Sequence, residues 1–294
     1  ADVDRGGDLN GGFDGGSVTW NAGDDKNDWE SRFDAWIKFV ATADSDFGPA
    51  KAVLKLKEVD DAVVTDEGSA ATGGSDTNGV VLDEAYVSIG DSTVIMAGKK
   101  GSIMNKGDDE PLNWLGLFIS EKTDTGVSWG SDTDLPDGGH VIQVTSDLGN
   151  GISVSAGLEN LNGTNASDGA SGTAVGVIAY KGDGLSAHAT FAAGGVLDGD
   201  IEDWGVHAGF AGTFDNFKVV LAGAFGTDDV AGDYWNVLGS ASATFDMFTI
   251  AGSVEANSND QWGVGASASA AVTEGVTLNV GGRYLEESSG NDIY

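Results

Sequence analysis

The sequence predicts an all-β fold, a transmembrane antiparallel β-barrel, and three observations carry that prediction. Glycine supplies 47 of 294 residues, about twice ordinary usage, and it is a poor helix former. Stretches of about ten residues alternate between an apolar side and a small or polar side, which is the length and period of a tilted membrane strand. Large aromatics stand at the ends of those apolar sides, where two membrane interfaces would meet them. Hydrophobic residues make up only 40% of the chain, and no run reaches the roughly 18–20 apolar residues of a spanning helix. Barrel strands escape that test because every second side chain faces water. With 8 Trp, 5 Tyr and 12 Phe, the chain is too aromatic for a disordered acidic polymer.

Charge and cysteine usage narrow the function classes. Lys and Arg number 14 against 47 Asp and Glu, a formal net charge of −33, which argues against general binding to nucleic-acid phosphates. The absence of Cys removes disulfides, thiolate metal sites and a cysteine nucleophile. No charged segment followed by an apolar one opens the chain, so Ala1 reads either as a mature N-terminus or as a boundary.

Taken in order, a first strand is expected near Gly15–Ala22. In the second, Phe33, Ala35, Ile37, Phe39 and Ala41 form the lipid side, which turns Arg32, Asp34, Trp36 and Lys38 inward. In the third, Ala52, Leu54 and Leu56 face out and Lys51, Lys55 and Lys57 face in. A pair follows at Leu82–Gly90 and Ser92–Lys99, with later pairs meeting at Gly149–Gly151 and Gly182–Gly184. The cleanest alternation is C-terminal. Trp204, Val206, Ala208, Phe210, Gly212 and Phe214 share one side, and Phe217, Val219, Leu221, Gly223 and Phe225 the next. Trp235 to Phe245, Phe248 to Ala256, Trp262 to Val272 and Val276 to Tyr284 continue it. The opposite sides, such as Ser240, Ser242, Thr244, Thr249, Ser253 and Glu255, are small and polar, as a wet lumen requires.

Short turns at Asp44–Gly48, Gly90-Asp91, Gly149–Gly151, Gly182–Gly184, Phe214–Phe217, Phe245–Phe248 and Thr273–Gly275 belong to one rim. Longer acidic loops near 59–79, 100–139, 160–172, 195–202, 227–233, 257–260 and from 286 onward belong to the other. These hairpins and the N-terminal strand make fifteen, so an even-numbered barrel needs a sixteenth. That strand is expected either outside this chain or from residues 1–14.

One segment reads Leu82-Asp83-Glu84-Ala85-Tyr86-Val87-Ser88-Ile89-Gly90, then a tight turn, then Ser92-Thr93-Val94-Ile95-Met96-Ala97-Gly98-Lys99, then the longest loop. It resembles the general porins of α-proteobacteria. The resemblance implies a single outer-membrane barrel over residues 1–294, with 16 strands and a third loop, residues 100–139, folded into the lumen. It further implies a homotrimer in the bacterial outer membrane, in contact with membrane lipid and lipopolysaccharide, that passes small polar solutes by diffusion. It implies no enzymatic step and no required cofactor. The chain departs from the family at its end, which reads Asn291-Asp292-Ile293-Tyr294 where the family finishes on Phe.

Read as a pore, Arg32, Lys38, Lys51, Lys55, Lys57 and Lys99 form a basic wall facing Asp108, Asp109, Glu110, Glu121 and Asp124 of the long loop. Opposed charges across a constriction create a transverse field that polar solutes tolerate and apolar ones do not. The alternative is a lysine row that only solvates the wall. The acid excess predicts weak cation selectivity. Asp108, Asp109 and Glu110 are also the densest candidates for loosely held calcium bridging lipopolysaccharide or a neighbouring subunit. Of the three His, His188 and His207 fall in neighbouring strands, without an evident third metal ligand beside them, and His140 stands apart. No Ser/His/Asp set or G-x-S-x-G elbow appears. The competing readings are a soluble secreted acidic β-sandwich or jelly roll, carbohydrate-binding or hydrolytic, and a barrel with an adhesive role.

Overall fold

Almost every apolar residue is followed by a small or polar one, a pattern that only extended backbone sorts onto two faces. The computed structural model describes residues 6–14, 18–20, 29–64, 80–104, 138–161, 172–199, 201, 203–228, 232–287 and 290–293. Two units divide the chain, Ala1–Gly101 and Ser102–Tyr294.

The first unit holds β1 (Gly6–Asp14), β2 (Val18–Trp20), β3 (Trp29–Ala43), β4 (Ala50–Val64), β5 (Val81–Gly90) and β6 (Thr93–Lys100). All pairings are antiparallel. Both β1 and β2 lie along β3, from Gly6 opposite Thr42 to Asp14 opposite Asp34, then from Val18 opposite Ser31 to Trp20 opposite Trp29. They therefore occupy successive lengths of one edge. The strand expected at Gly15–Ala22 is confined among the described residues to Val18–Trp20, and residues 6–14 are a strand against β3. Gly6–Asp14 has only Leu9 and Phe13 as large apolar residues, so ladder hydrogen bonds rather than alternation define it.

A bulge separates β4 from β5. Lys55 lies opposite Glu84 and Leu56 opposite Leu82, so Asp83 is the extra residue. Two consecutive residues then oppose one, which lets neighbours in sequence reach toward the same side. On β6, Gly98 has φ 141. A Cβ there would strike the Ala85 carbonyl oxygen and stand 2.8 Å from the Tyr86 Cβ. Gly98→Ala is expected to destabilise the β5–β6 pair by about 1–3 kcal/mol. Thermal unfolding of the folded protein in detergent measures this, and an unchanged midpoint would mean that the backbone relaxes freely around the methyl group.

The second unit is a meander of β7 (Gly139–Gly149), β8 (Ile152–Glu159), β9 (Thr173–Gly182), β10 (Leu185–Ala193), β11 (Trp204–Phe214), β12 (Phe217–Asp228), β13 (Gly232–Phe245), β14 (Phe248–Asn257), β15 (Trp262–Thr273), β16 (Val276–Glu287) and β17 (Gly290–Ile293). Each strand pairs antiparallel with the next. The end of the chain, expected as loop, thus adds a short strand, with Tyr284 opposite Ile293 and Glu287 opposite Gly290. Asn150, Asp215 and Asp246 take positive φ in the tight turns, a conformation their short polar side chains tolerate. Each turn is stitched to the next hairpin, Lys181 N to Gly151 O at 2.8 Å, Thr213 N to Gly184 O at 2.7 Å and Thr244 N to Asn216 O at 2.9 Å.

The two faces of this sheet invert the usual rule for a water-soluble domain. Ile178, Phe191, Leu221, Val237, Ile250, Val264, Leu278 and Val280 lie exposed, Val280 at 69%. Thr190, His207, Ser240 and Ser253, on the opposite parity, are buried. A contiguous apolar surface of this extent marks contact with something other than water. Its aromatics form two rows. Phe214 faces Phe217 and Phe245 faces Phe248 across the short turns, with Phe217 and Phe245 edge to face at 6.2 Å. At the other end Trp204 meets Phe225 at 5.6 Å and Trp262 meets Tyr284 at 5.2 Å. On β12 the rows stand eight residues apart, about 27 Å along the strand, of the order of the roughly 25 Å apolar band of a membrane barrel. The opposite face, expected as small and polar, also carries apolar groups: Leu238 packs with Ala222 and Ala224, and Leu285 is buried.

Candidate functional site

In the first unit, Lys38, Lys51, Lys55 and Lys57 sit on the face opposite Ile37, Phe39 and Leu54, all three exposed. Strand register places Lys38 directly across from Lys55, and like charges in that position repel. The β5 bulge answers both. Glu84 Oε2 lies 2.8 Å from Lys38 Nζ, and Asp83 Oδ2 lies 2.6 Å from Lys55 Nζ. Lys55 Nζ also stands 5.6 Å from the centre of the Trp36 ring, within cation–π range. These groups are partly solvated, so each pair contributes at most about 1 kcal/mol to stability. Their larger consequence is to hold charge at fixed points of this face of the sheet.

The remaining predicted cations divide. Lys51 lies opposite Thr42 and Ser88, and Lys57 opposite Trp36 and Val81, on the parity of Lys55 along β4. Lys99 lies opposite Ala85 and shares the parity of Ile95 and Ala97, the apolar side. Its Nζ donates to the Leu82 carbonyl. Lys100 takes the place expected of Lys99, with its Nζ 4.4 Å from the Tyr86 ring centre. Counting parity from Ile95 would have found this in the sequence. Arg32 pairs in register with Asp61, and its side chain lies outside the described residues. So do Asp108, Asp109, Glu110, Glu121 and Asp124, the proposed calcium cluster included.

In the second unit, the chain entering the long segment crosses the polar-side parity of the sheet. Met104 N donates to Ser102 Oγ at 3.0 Å, bending the backbone so that Ile103 and Met104 pack on Val175, Val177 and Ala192. Beside them Glu159 is 0% exposed. Its Oε1 accepts from Ile103 N at 3.0 Å and Gln143 Nε2 at 2.7 Å, and its Oε2 accepts from Gly138 N at 3.0 Å. Sequence reading passed over Glu159, because one acid among 47 carries no motif and its burial exists only once β7, β8 and residues 102–104 converge. On β10 and β11, His188 Nε2 and His207 Nδ1 are 2.7 Å apart, with stacked rings at 4.8 Å, as their neighbouring strands predict. Among the described residues, no group of three or more His, Asp and Glu is placed to hold a metal ion.

The family described as the porin subfamily matches residues 7–292. By sequence, no curated protein matches the chain. Among solved structures, OmpF of Salmonella typhi in complex with daunomycin has a TM-score of 0.60 at 15% identity, over 96% of this chain and 89% of that one. A mutant of the Rh. blastica porin also has a TM-score of 0.60 at 15% identity, covering 98% and 96%. An anion-selective porin from Comamonas acidovorans has a TM-score of 0.56 at 15% identity, covering 99% and 94%. At these identities the likeness establishes the fold, an all-β antiparallel porin barrel.

Proposed function

We propose that this chain, which belongs to the porin subfamily, passes small hydrophilic solutes and ions by passive diffusion with a weak preference for cations. Membership makes it an outer-membrane channel of a non-enzymatic family. The observation that carries the diffusion reading is the exposed apolar face between two aromatic rows, with buried polar groups behind it. A soluble β-sandwich would bury that face.

Further observations support the finer parts of the reading. Ile103 and Met104 turn onto the polar-side parity of the second unit, which supports residues 100–139 as a constriction loop. With β1 and β2 as successive parts of one strand position and β17 present, the strand positions accord with a barrel of sixteen. Ala41, Ala43, Ala50 and Ala52, with Val87 and Ile95, line an apolar outer groove of about 650 Å³, which supports packing against a second copy and hence a homotrimer. The strand pair around Gly90 accords with the α-proteobacterial branch. Cation preference follows from a net charge of −33 acting on the mouth, weakened by the lysines of β3, β4 and β6.

Planar-bilayer recording tests the proposal. Stepwise ohmic openings, arriving in threes, are expected. Under a salt gradient the zero-current potential should carry the sign of a modest cation preference. A protein that never inserts would overturn the channel reading, and clear anion preference would overturn the selectivity alone.

A further inference from the structure

We infer that Glu159 is a positioning residue that ties together the two ends of the chain between Met104 and Gly138. The inference rests on the channel reading and deepens it by naming the group that sets the base of the long segment. Glu159 ends β8 and is 0% exposed. Ile103, at the segment's entry, and Gly138, at its exit, donate their backbone amides to the two oxygens of this single carboxylate. Gln143, across the β7–β8 ladder from Gly157, donates the third hydrogen bond.

Among the described residues three donors and no acceptor meet this side chain, so a group that accepts at both oxygens satisfies them. A Gln here would turn its own NH₂ toward one of the three. Hydrogen bonds to a charged acceptor are roughly twice as strong as neutral ones, and closing a long loop at its base has an entropic cost that something must offset. Packing contributes as well. Ile103 and Met104 lie on Val175, Val177 and Ala192, and a Cβ on Gly157 would stand 3.2 Å from both Ile103 Cδ1 and Glu159 Oε1. On the exit side, Asn160 N donates to Gly138 O at 2.7 Å and Leu161 N to His140 O at 3.0 Å. Asn160 adopts φ 50 to do so. Ile103 and Gly138 are therefore both held to β8 and the turn that follows it through their backbone groups.

The test compares the wild type with Glu159→Gln and Glu159→Ala, each verified as folded by heat-modifiable gel mobility. By hydrogen exchange, the Ile103 and Gly138 amides of both variants should exchange about tenfold faster than in the wild type, the change expected for losing a hydrogen bond to a charged group. Amides as protected in Glu159→Gln as in the wild type would overturn the inference. Should the variants fail to fold, hydrogen exchange on the wild type decides the matter. The Ile103 and Gly138 amides should exchange at least about tenfold more slowly than free peptide amides, and unprotected amides would overturn the inference. A wild type that shows no current steps but keeps both amides protected would remove the channel reading and leave the anchor standing.

Discussion

Leu221→Arg should lower the stability of the lipid-embedded protein by about 2–4 kcal/mol, the cost of a charge facing lipid at the middle of a barrel strand. Leu221 sits midway along β12, opposite Phe210 on β11 and Gly239 on β13, and is 54% exposed. On a soluble domain an exposed leucine exchanges for arginine within about 0.5 kcal/mol. The two environments therefore give different answers at one position. Urea unfolding in lipid vesicles reads the difference, with Leu221→Ala separating lost packing from introduced charge. A value near zero would place this face in water and remove the basis for the channel.

The second large effect is on selectivity. Neutralising both acids of the β5 bulge, as Asp83→Asn with Glu84→Gln, should lower the cation-to-anion permeability ratio severalfold. In the native wall these acids sit 2.6 and 2.8 Å from the amino groups of Lys55 and Lys38. Removing them leaves two lysines directly opposed across β3 and β4, with their positive potential no longer compensated. The zero-current potential under a salt gradient measures the change. Stability should fall by no more than about 1 kcal/mol per pair, since both pairs are partly solvated. An unchanged ratio would mean that ions pass without sensing this wall.

Several features were legible because each depends on side-chain type at period two. Phe217, Val219, Leu221, Gly223 and Phe225 show their shared face in the bare sequence, and so do the aromatics at either end. That His188 and His207 stand on neighbouring strands is legible from strand order, whereas their burial, in place of the solvated lumen setting expected, is not. Errors arose where a residue or two mattered. Lys99 is expected beside Lys55, yet the β5–β6 register puts it on the apolar parity, and Lys100 is the residue that reaches Tyr86. The polar side reads as small and polar at Ser240, Ser242 and Thr244, but Leu238 packs there with Ala222 and Ala224. Residues 1–14 are one of two places expected to supply a further strand, and Gly6–Asp14 is a strand there, but along β3; Gly290–Ile293, expected as loop, is held by ladder hydrogen bonds that need no apolar alternation.

What the sequence determined by itself is the class of solvent each face meets. Alternation is a local property, and one apolar face with aromatic ends asks for lipid between two interfaces whatever the neighbouring strands do. What only the tertiary structure decided is which charges answer one another. The bulge that turns Asp83 and Glu84 toward two opposed lysines depends on the register between β4 and β5. The burial of Glu159 beneath the amides of Ile103 and Gly138 depends on three distant segments meeting. Both depend on relations between strands, and the energy of a buried or paired charge is set by what surrounds it rather than by its neighbours along the chain.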